Sequence, residues 1–129
     1  MEKKINILGT TYSVFIGIDP EENSSLGGRM GYCIPSSRKI VVADLEKVES
    51  WKEEPEEGRR MAVATTLRHE VIHAFFAESG LWSSSMEVGA WAMNEEMVDW
   101  FAIQLPKIIK VFEQLGCSGT VYGFPDDNR

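Results

Sequence analysis

Cysteine and histidine are both scarce in this chain, which has two of each among its 129 residues. Two cysteines cannot form the multiple bridges that stabilise small secreted proteins, and Cys33 and Cys117 lack the spacing of a zinc-binding pair. We therefore expect two reduced thiols in an intracellular protein, with a lone disulfide as the alternative. Long apolar runs are also missing. Because no stretch approaches the length of a membrane-spanning helix, no membrane partner is expected.

Positive charge is in short supply as well, with 13 Lys and Arg against 20 Asp and Glu and a net charge of −7. An acidic protein is a poor partner for phosphate backbones, so nucleic-acid binding is not expected. The chain starts with two lysines close to apolar residues, yet polar residues interrupt this run and no small-residue cleavage site follows. This pattern favours strands over a secretion signal. We expect a cytoplasmic protein with one domain over residues 1–129.

Strands are predicted in the first third of the chain and helices in the rest, which is an α+β layout. Residues 5–8 and 11–18 read as a hairpin, and residues 31–34 and 39–45 read as a second strand pair around a turn. Three helical segments follow the strands. The sequence places them from Arg59 to Ser79 with a cap at Gly80, from a capping box at Ser84 and Glu87 up to Pro106, and over residues 107–115. Pro106 is expected to kink or end the second helix.

Both histidines lie in one short segment of the first predicted helix, LRHEVIHAFF, residues 67–76. His69 and His73 are four residues apart, so both imidazoles project from one face and can grip one zinc ion. Glu70 is rotated about a quarter turn from His69, which suits a general base that reaches a zinc-bound water. The alternative is a pair of core histidines on a buried helix face.

A catalytic zinc site needs a third protein ligand, which must be a carboxylate or a cysteine because no histidine remains. The second predicted helix offers NEEMVD, residues 94–99. Glu95 and Asp99 share one face, so Glu95 can complete the site while Asp99 accepts a hydrogen bond from a ligand histidine and fixes its orientation. Glu96 is the rival ligand and aligns less well with Asp99.

Taken together, HEVIH and NEEMVD resemble the motifs of the gluzincin metallopeptidases. The resemblance covers roughly residues 30–106, and the helix around residues 100–106 looks like that of small single-domain zincins of the ImmA/IrrE type, often encoded by phages and mobile elements. It implies His69, His73 and Glu95 as zinc ligands, Glu70 as base and Asp99 as the supporting carboxylate. The implied fold is a minimal zincin, in which a small antiparallel-rich sheet packs on the HExxH helix and a second helix carries the third metal ligand.

The implied activity is hydrolysis of a protein or peptide substrate by a zinc-activated water, with Glu70 as general base. Tyr32, Arg68 and Tyr122 are candidate donors to the oxyanion, with no preference among them. In a zincin the substrate pairs with a strand at the sheet edge, which is residues 31–34 or 39–43 here. The negative net charge favours neutral or basic substrate segments.

Three tryptophans surround the predicted site in the sequence and form either an aromatic wall for substrate or ordinary helix packing: Trp82, Trp91 and Trp100. The main alternative function is a zinc-stabilised binding or structural module of phage or mobile-element origin. Glu70 argues against the module, since a structural site has no use for a base. The small size and the missing oxyanion histidine argue for it. A packed domain without metal is the third possibility.

Overall fold

The strands lie close to where their β-branched and aromatic residues predict them. In the computed structural model, which describes residues 1–84 and 95–123, β1 spans Glu2–Ile7 and β2 spans Thr10–Ile18. They form an antiparallel hairpin whose turn uses positive φ angles at Leu8 and Gly9. Strands β3 (Gly31–Ile34) and β4 (Lys39–Ala43) form a second antiparallel pair.

The four strands form one mixed sheet in the order β1-β2-β4-β3. Strands β2 and β4 are parallel, so the two hairpins join along the middle of the sheet. β4 is therefore an interior strand covered on both faces, which explains why its residues Ile40 to Ala43 are all buried apolar residues. β3 lies at the edge. The predicted α+β class is confirmed.

Within residues 1–84 and 95–123, three α-helices follow the sheet: α1 (Glu56–Glu78), α2 (Leu81–Ser84) and α3 (Glu95–Gln114). Helix α1 begins three residues before the predicted Arg59, and its first turn carries Glu56 and Glu57, whose charges suit the positive end of the helix dipole. It ends as predicted before Gly80, which has a φ of 81°. The capping box at Ser84 and Glu87 extends outside the described residues.

Of the two alternatives for Pro106, an end of the helix is wrong, because α3 runs through this residue to Gln114, and a kink stays a prediction. The helical segment predicted after Pro106 is therefore the second half of α3. Proline removes one backbone hydrogen bond. The segment after it nevertheless stays helical, since Ile108, Val111 and Phe112 bury their side chains in the core. Such tertiary packing, more than local propensity, decides whether a helix forms in a folded protein.

Helices α1 and α3 cover one face of the sheet and share its larger core. Helix α1 contributes Leu67, Val71 and Phe75, and these side chains contact the inward residues of β1, β2 and β4. The other face is covered by the loops before β3 and after β4, with Leu26 and Leu45 buried there. Among the described residues, no helix is long and apolar enough to cross a membrane.

The segment after α3 is fastened to α1 by two arginines. The Arg60 guanidinium donates hydrogen bonds of 2.9 and 2.7 Å to the carbonyl oxygen of Tyr122. Arg68 donates to the carbonyl oxygens of Cys117 and Gly119 at 2.9 and 2.7 Å. These bonds hold residues 117–122 against the long helix.

Candidate metal centre

His69 and His73 meet on the surface of α1. Their Nε2 atoms are 3.0 Å apart and their ring centroids 4.6 Å apart, with the rings inclined at 74°. His69 is exposed, and the contact between the two rings lies at the protein surface. The alternative of two core histidines is therefore not what the structure shows.

The donor set fits a zinc ion. Two nitrogen ligands at 2.0–2.1 Å from a tetrahedral ion lie about 3.3 Å apart, close to the 3.0 Å between the two Nε2 atoms. A carboxylate oxygen of Glu70 lies within 4.8 Å of both imidazoles. A hydrogen bond between two neutral imidazoles also fits this distance, and in both cases the helix register brings the two nitrogens together.

Glu70 is buried, with 6% of its surface exposed, and faces the edge strand rather than solvent. Burial raises the pKa of its carboxyl group, while the positive charges of His69, His73 and Arg29 act in the opposite direction. A buried carboxylate has few hydration waters and interacts strongly with nearby cations. It is therefore placed to exchange a proton with a group bound between the helix and the strand.

Strand β3 approaches α1 closely at Gly31. A Cβ atom on Gly31 would lie 2.8 Å from Thr66 Cγ2 and 2.8 Å from the carbonyl oxygen of Val41. Only glycine fits there without a shift of strand or helix. The close approach leaves a cleft of about 260 Å³ that Gly31, Cys33, Glu70 and the two histidines line together with Trp82.

A second cleft, of about 450 Å³, extends from His69 and Glu70 in the other direction. Thr65 and Thr66 of α1 form one wall. Met30 and Trp51, from the loops beside the sheet, form the other. The two clefts share Arg29, Gly31, His69 and Glu70 in their linings, so they adjoin in one depression beside the His-Glu group.

The structure does not complete the predicted set of ligands. Helix α3 begins at Glu95, but the predictions for Glu95 and Asp99 concern side chains outside the described part of the structure. The rival Glu96 is exposed and is not brought together with the histidines. Cys33 lies in the cleft without joining the histidine group; its burial, together with the charges of Glu70 and Glu78, raises the pKa of its thiol to about 12.

The three candidate oxyanion donors lie in other surroundings. The Tyr32 hydroxyl is hydrogen-bonded to the Asn23 side chain, and its ring packs in the core behind the sheet. Arg68 is engaged with the carbonyl oxygens after α3. Tyr122 lines a separate cleft near Arg60. Of the three, only Tyr32 borders the cleft of the two histidines, and its hydroxyl is already bonded to Asn23.

The tryptophans divide between the two predicted roles. Trp82 is 55% exposed, and its ring centroid lies 6.3 Å from that of His73, so it forms a wall of the cleft. Trp100 packs edge-on against Phe76 at 5.0 Å and donates a hydrogen bond of 3.1 Å to Ser79 Oγ, which is helix packing. Trp91 lies outside the described residues.

Arg29 borders both clefts, and sequence reasoning missed it. It stands in the glycine-rich segment GGRMG, immediately before β3. A signal was present, since a lone arginine beside the edge strand of an acidic protein provides a local positive charge. Its significance depends on the folding of this loop toward α1, which no sequence spacing indicates.

In comparisons with known proteins, no protein-family model, curated protein or solved structure matches this chain.

Proposed function

We propose that this protein is a zinc-dependent endopeptidase with the packing of a minimal gluzincin. The observation that carries the proposal is the group formed by His69, Glu70 and His73: two imidazole nitrogens 3.0 Å apart at the surface, with a buried carboxylate within 4.8 Å of both. A purely structural zinc site would place a fourth ligand where this site has a buried carboxylate beside an open cleft.

In this proposal His69 and His73 would hold the ion through their ring nitrogens, and Glu95 would be the third ligand. When bound, zinc would supply a Lewis acid that makes water nucleophilic near neutral pH and polarises a peptide carbonyl. Glu70 would accept the proton of the attacking water on its carboxylate and then donate it to the leaving amine. Cleft walls on both sides of Glu70 would limit the access of bulk water to this proton transfer.

The position of α3 supports Glu95 as the third ligand and Asp99 as the carboxylate that orients a histidine. Trp100 and Phe101 pack against Phe76, which lies one helical turn after His73. Glu95 precedes Trp100 by five residues, a rise of about 7.5 Å along a helix. The first turn of α3 therefore lies within about two helical turns of the contact that α3 makes with Phe76.

The substrate would bind as an extended strand along the outer edge of β3. Of the two strands considered from the sequence, β4 is interior and β3 is the edge, so the free backbone groups belong to residues 31–34. No described strand pairs with this edge. Peptide addition there would use main-chain hydrogen bonds and would carry the scissile bond past Glu70.

A zinc-stabilised binding module is the second candidate, and one observation favours it. Tyr32, Arg68 and Tyr122 are all engaged elsewhere, so none of these three sequence candidates is available as an oxyanion donor beside the histidines. Such donors contribute about 10²–10³ in rate in hydrolytic enzymes. The module would keep the metal and the cleft while cleaving nothing.

The deciding experiment measures zinc content and peptide cleavage on the same samples. Zinc would be measured by inductively coupled plasma mass spectrometry, and cleavage by mass spectrometry on a mixed peptide library. We expect one zinc per chain in wild type, its loss in His69→Ala and Glu95→Gln, and its retention in the control Glu96→Gln. In Glu70→Gln zinc would remain while cleavage falls by at least about 100-fold.

The exposed Glu57, in the first turn of the same helix, provides the control Glu57→Gln, which should cleave like wild type. Zinc binding without cleavage of any peptide would favour the binding module. A wild-type protein that stays metal-free after zinc loading would overturn both candidates.

A further inference from the structure

The charged side chains around the two clefts are unevenly distributed. Outside the His-Glu group, Arg29 is the one charged side chain among the described residues that line either cleft. The whole chain carries a net charge of −7. The depression therefore carries one local positive charge in an otherwise acidic protein. The preference for neutral or basic substrate segments, which was expected from the net charge, does not apply beside Arg29.

Arg29 is fixed in position before any ligand arrives. Its Nε donates to the carbonyl oxygen of Leu26 at 3.2 Å, and one terminal nitrogen donates to that of Ser25 at 2.6 Å. The guanidinium carbon lies 5.5 Å from the centroid of the Tyr32 ring. These contacts hold the planar group in place and reduce the entropy lost when it binds a ligand.

The charge of Arg29 is not neutralised within the described part of the chain, where no carboxylate forms an ion pair with it. Two carbonyl contacts leave other guanidinium N–H groups available, because the group has five donors. Arg29 lines both clefts that His69 and Glu70 also line, so its free N–H groups border the space in which a neighbouring substrate residue would lie.

We propose that Arg29 binds a carboxylate of the substrate, either an acidic side chain or a free carboxyl terminus, next to the bond held at the His-Glu group. This inference rests on the proposed peptidase function and names its substrate class. A guanidinium presents paired N–H groups that match the two oxygens of a carboxylate. The adjoining cleft of about 450 Å³, with Trp51 and Met30 in its walls, accommodates the aliphatic part of a glutamate-sized side chain.

The test uses four peptide hydroxamates, whose hydroxamate group binds zinc. They carry Glu or Gln beside that group and end in a carboxylate or an amide. Affinities for zinc-loaded protein would be measured by isothermal titration calorimetry. We expect wild type to bind at least one carboxylate probe about tenfold more tightly than its neutral counterpart, and the preferred pair identifies the source of the carboxylate. This preference should weaken as salt is raised.

The variants isolate the charge of Arg29. In Arg29→Gln the affinity ratio between paired probes should fall to within about twofold, and in Arg29→Glu the neutral probe should bind more tightly. Arg29→Lys should keep a reduced preference, which separates charge from loop structure. The control is Arg59→Gln: Arg59 also donates to loop carbonyls but lines a different cleft, so the wild-type preference should persist.

The two proposals fail in different ways. Equal binding of all four probes to wild type, or a preference that survives Arg29→Gln, would overturn the role of Arg29 and leave the zinc site intact. If zinc-loaded wild type bound none of the probes, the peptidase site itself would be wrong, and the Arg29 proposal would fall with it.

Discussion

Replacing Gly31 by alanine tests the closest contact between the edge strand and the helix that carries the histidines. The added Cβ would meet both the Thr66 methyl group and the Val41 carbonyl oxygen at 2.8 Å. The methyl group belongs to a buried side chain and the oxygen to an interior strand, so neither can move away freely. Overpacking of this kind costs about 1–3 kcal/mol.

The net effect is smaller than this steric cost. Gly31 does not have a positive φ, so alanine is allowed by the backbone and restricts the unfolded chain, which returns about 0.4–1 kcal/mol. We expect the free energy of unfolding to fall by about 1–2 kcal/mol. In urea denaturation followed by circular dichroism, this lowers the midpoint by about 0.5–1 M for a slope of about 2 kcal/mol/M.

Two further variants separate the steric clash at Gly31 from the general effect of replacing glycine by alanine. Gly58→Ala in the first turn of α1 adds a Cβ with no neighbour within 4 Å, so it should stabilise the protein by about 0.5 kcal/mol. Thr66→Ser removes the clashing methyl group and keeps the hydroxyl that bonds to Ala62, so it should partly rescue Gly31→Ala. A double-mutant cycle should give a coupling of at least about 0.5 kcal/mol. If Gly31→Ala is as stable as wild type, β3 does not lie this close to α1.

Three other outcomes are expected. Burial and the hydrogen bond to Glu78 raise the pKa of Tyr12 above its usual value near 10. The neutral phenol therefore stabilises the folded state below pH 10, and this contribution is lost as pH rises beyond that value. When the free energy of unfolding is measured against pH, it should decrease less above pH 10 in Tyr12→Phe than in wild type. Burial raises the pKa of the Cys33 and Cys117 thiols to about 12 and about 11, so iodoacetamide at pH 8 should label both at least about 100-fold more slowly in folded than in urea-unfolded protein, and rapid labelling of folded protein would contradict their burial. Zinc at 100 times its dissociation constant should add about 2.7 kcal/mol to stability, an increment that chelator should remove and that His69→Ala should lack.

Local patterns in the sequence predict the secondary structure of the described residues well. β-branched and aromatic runs mark the four strands, and the absence of breakers before Gly80 marks the long helix. The juxtaposition of the two imidazoles also follows from sequence alone, because residues four apart share a helix face. These features depend on neighbours within one or two turns of chain, and such neighbours are visible in a sequence.

Features that depend on tertiary contacts were not predictable in the same way. The continuation of α3 through Pro106 depends on burial of Ile108 and Val111, which local propensity does not contain. The parallel pairing of β2 and β4 is a choice between distant strands, and it alone decides that β3 is the edge. The position of Arg29 beside the histidines likewise depends on how a loop folds back toward a helix that follows it by about 30 residues.

Arg60 and Arg68 of α1 hold the segment after α3 by donating hydrogen bonds to its backbone carbonyl oxygens, not to its side chains. A carbonyl oxygen is the same on every amino acid, so the anchoring of Gly119 and Tyr122 does not depend on which residues stand there. During divergence, the exposed residues 118–120 can therefore change without loss of these bonds, while Arg60 and Arg68 are held constant. Distant homologues of this protein should therefore be easier to recognise by the long helix than by the chain that follows α3.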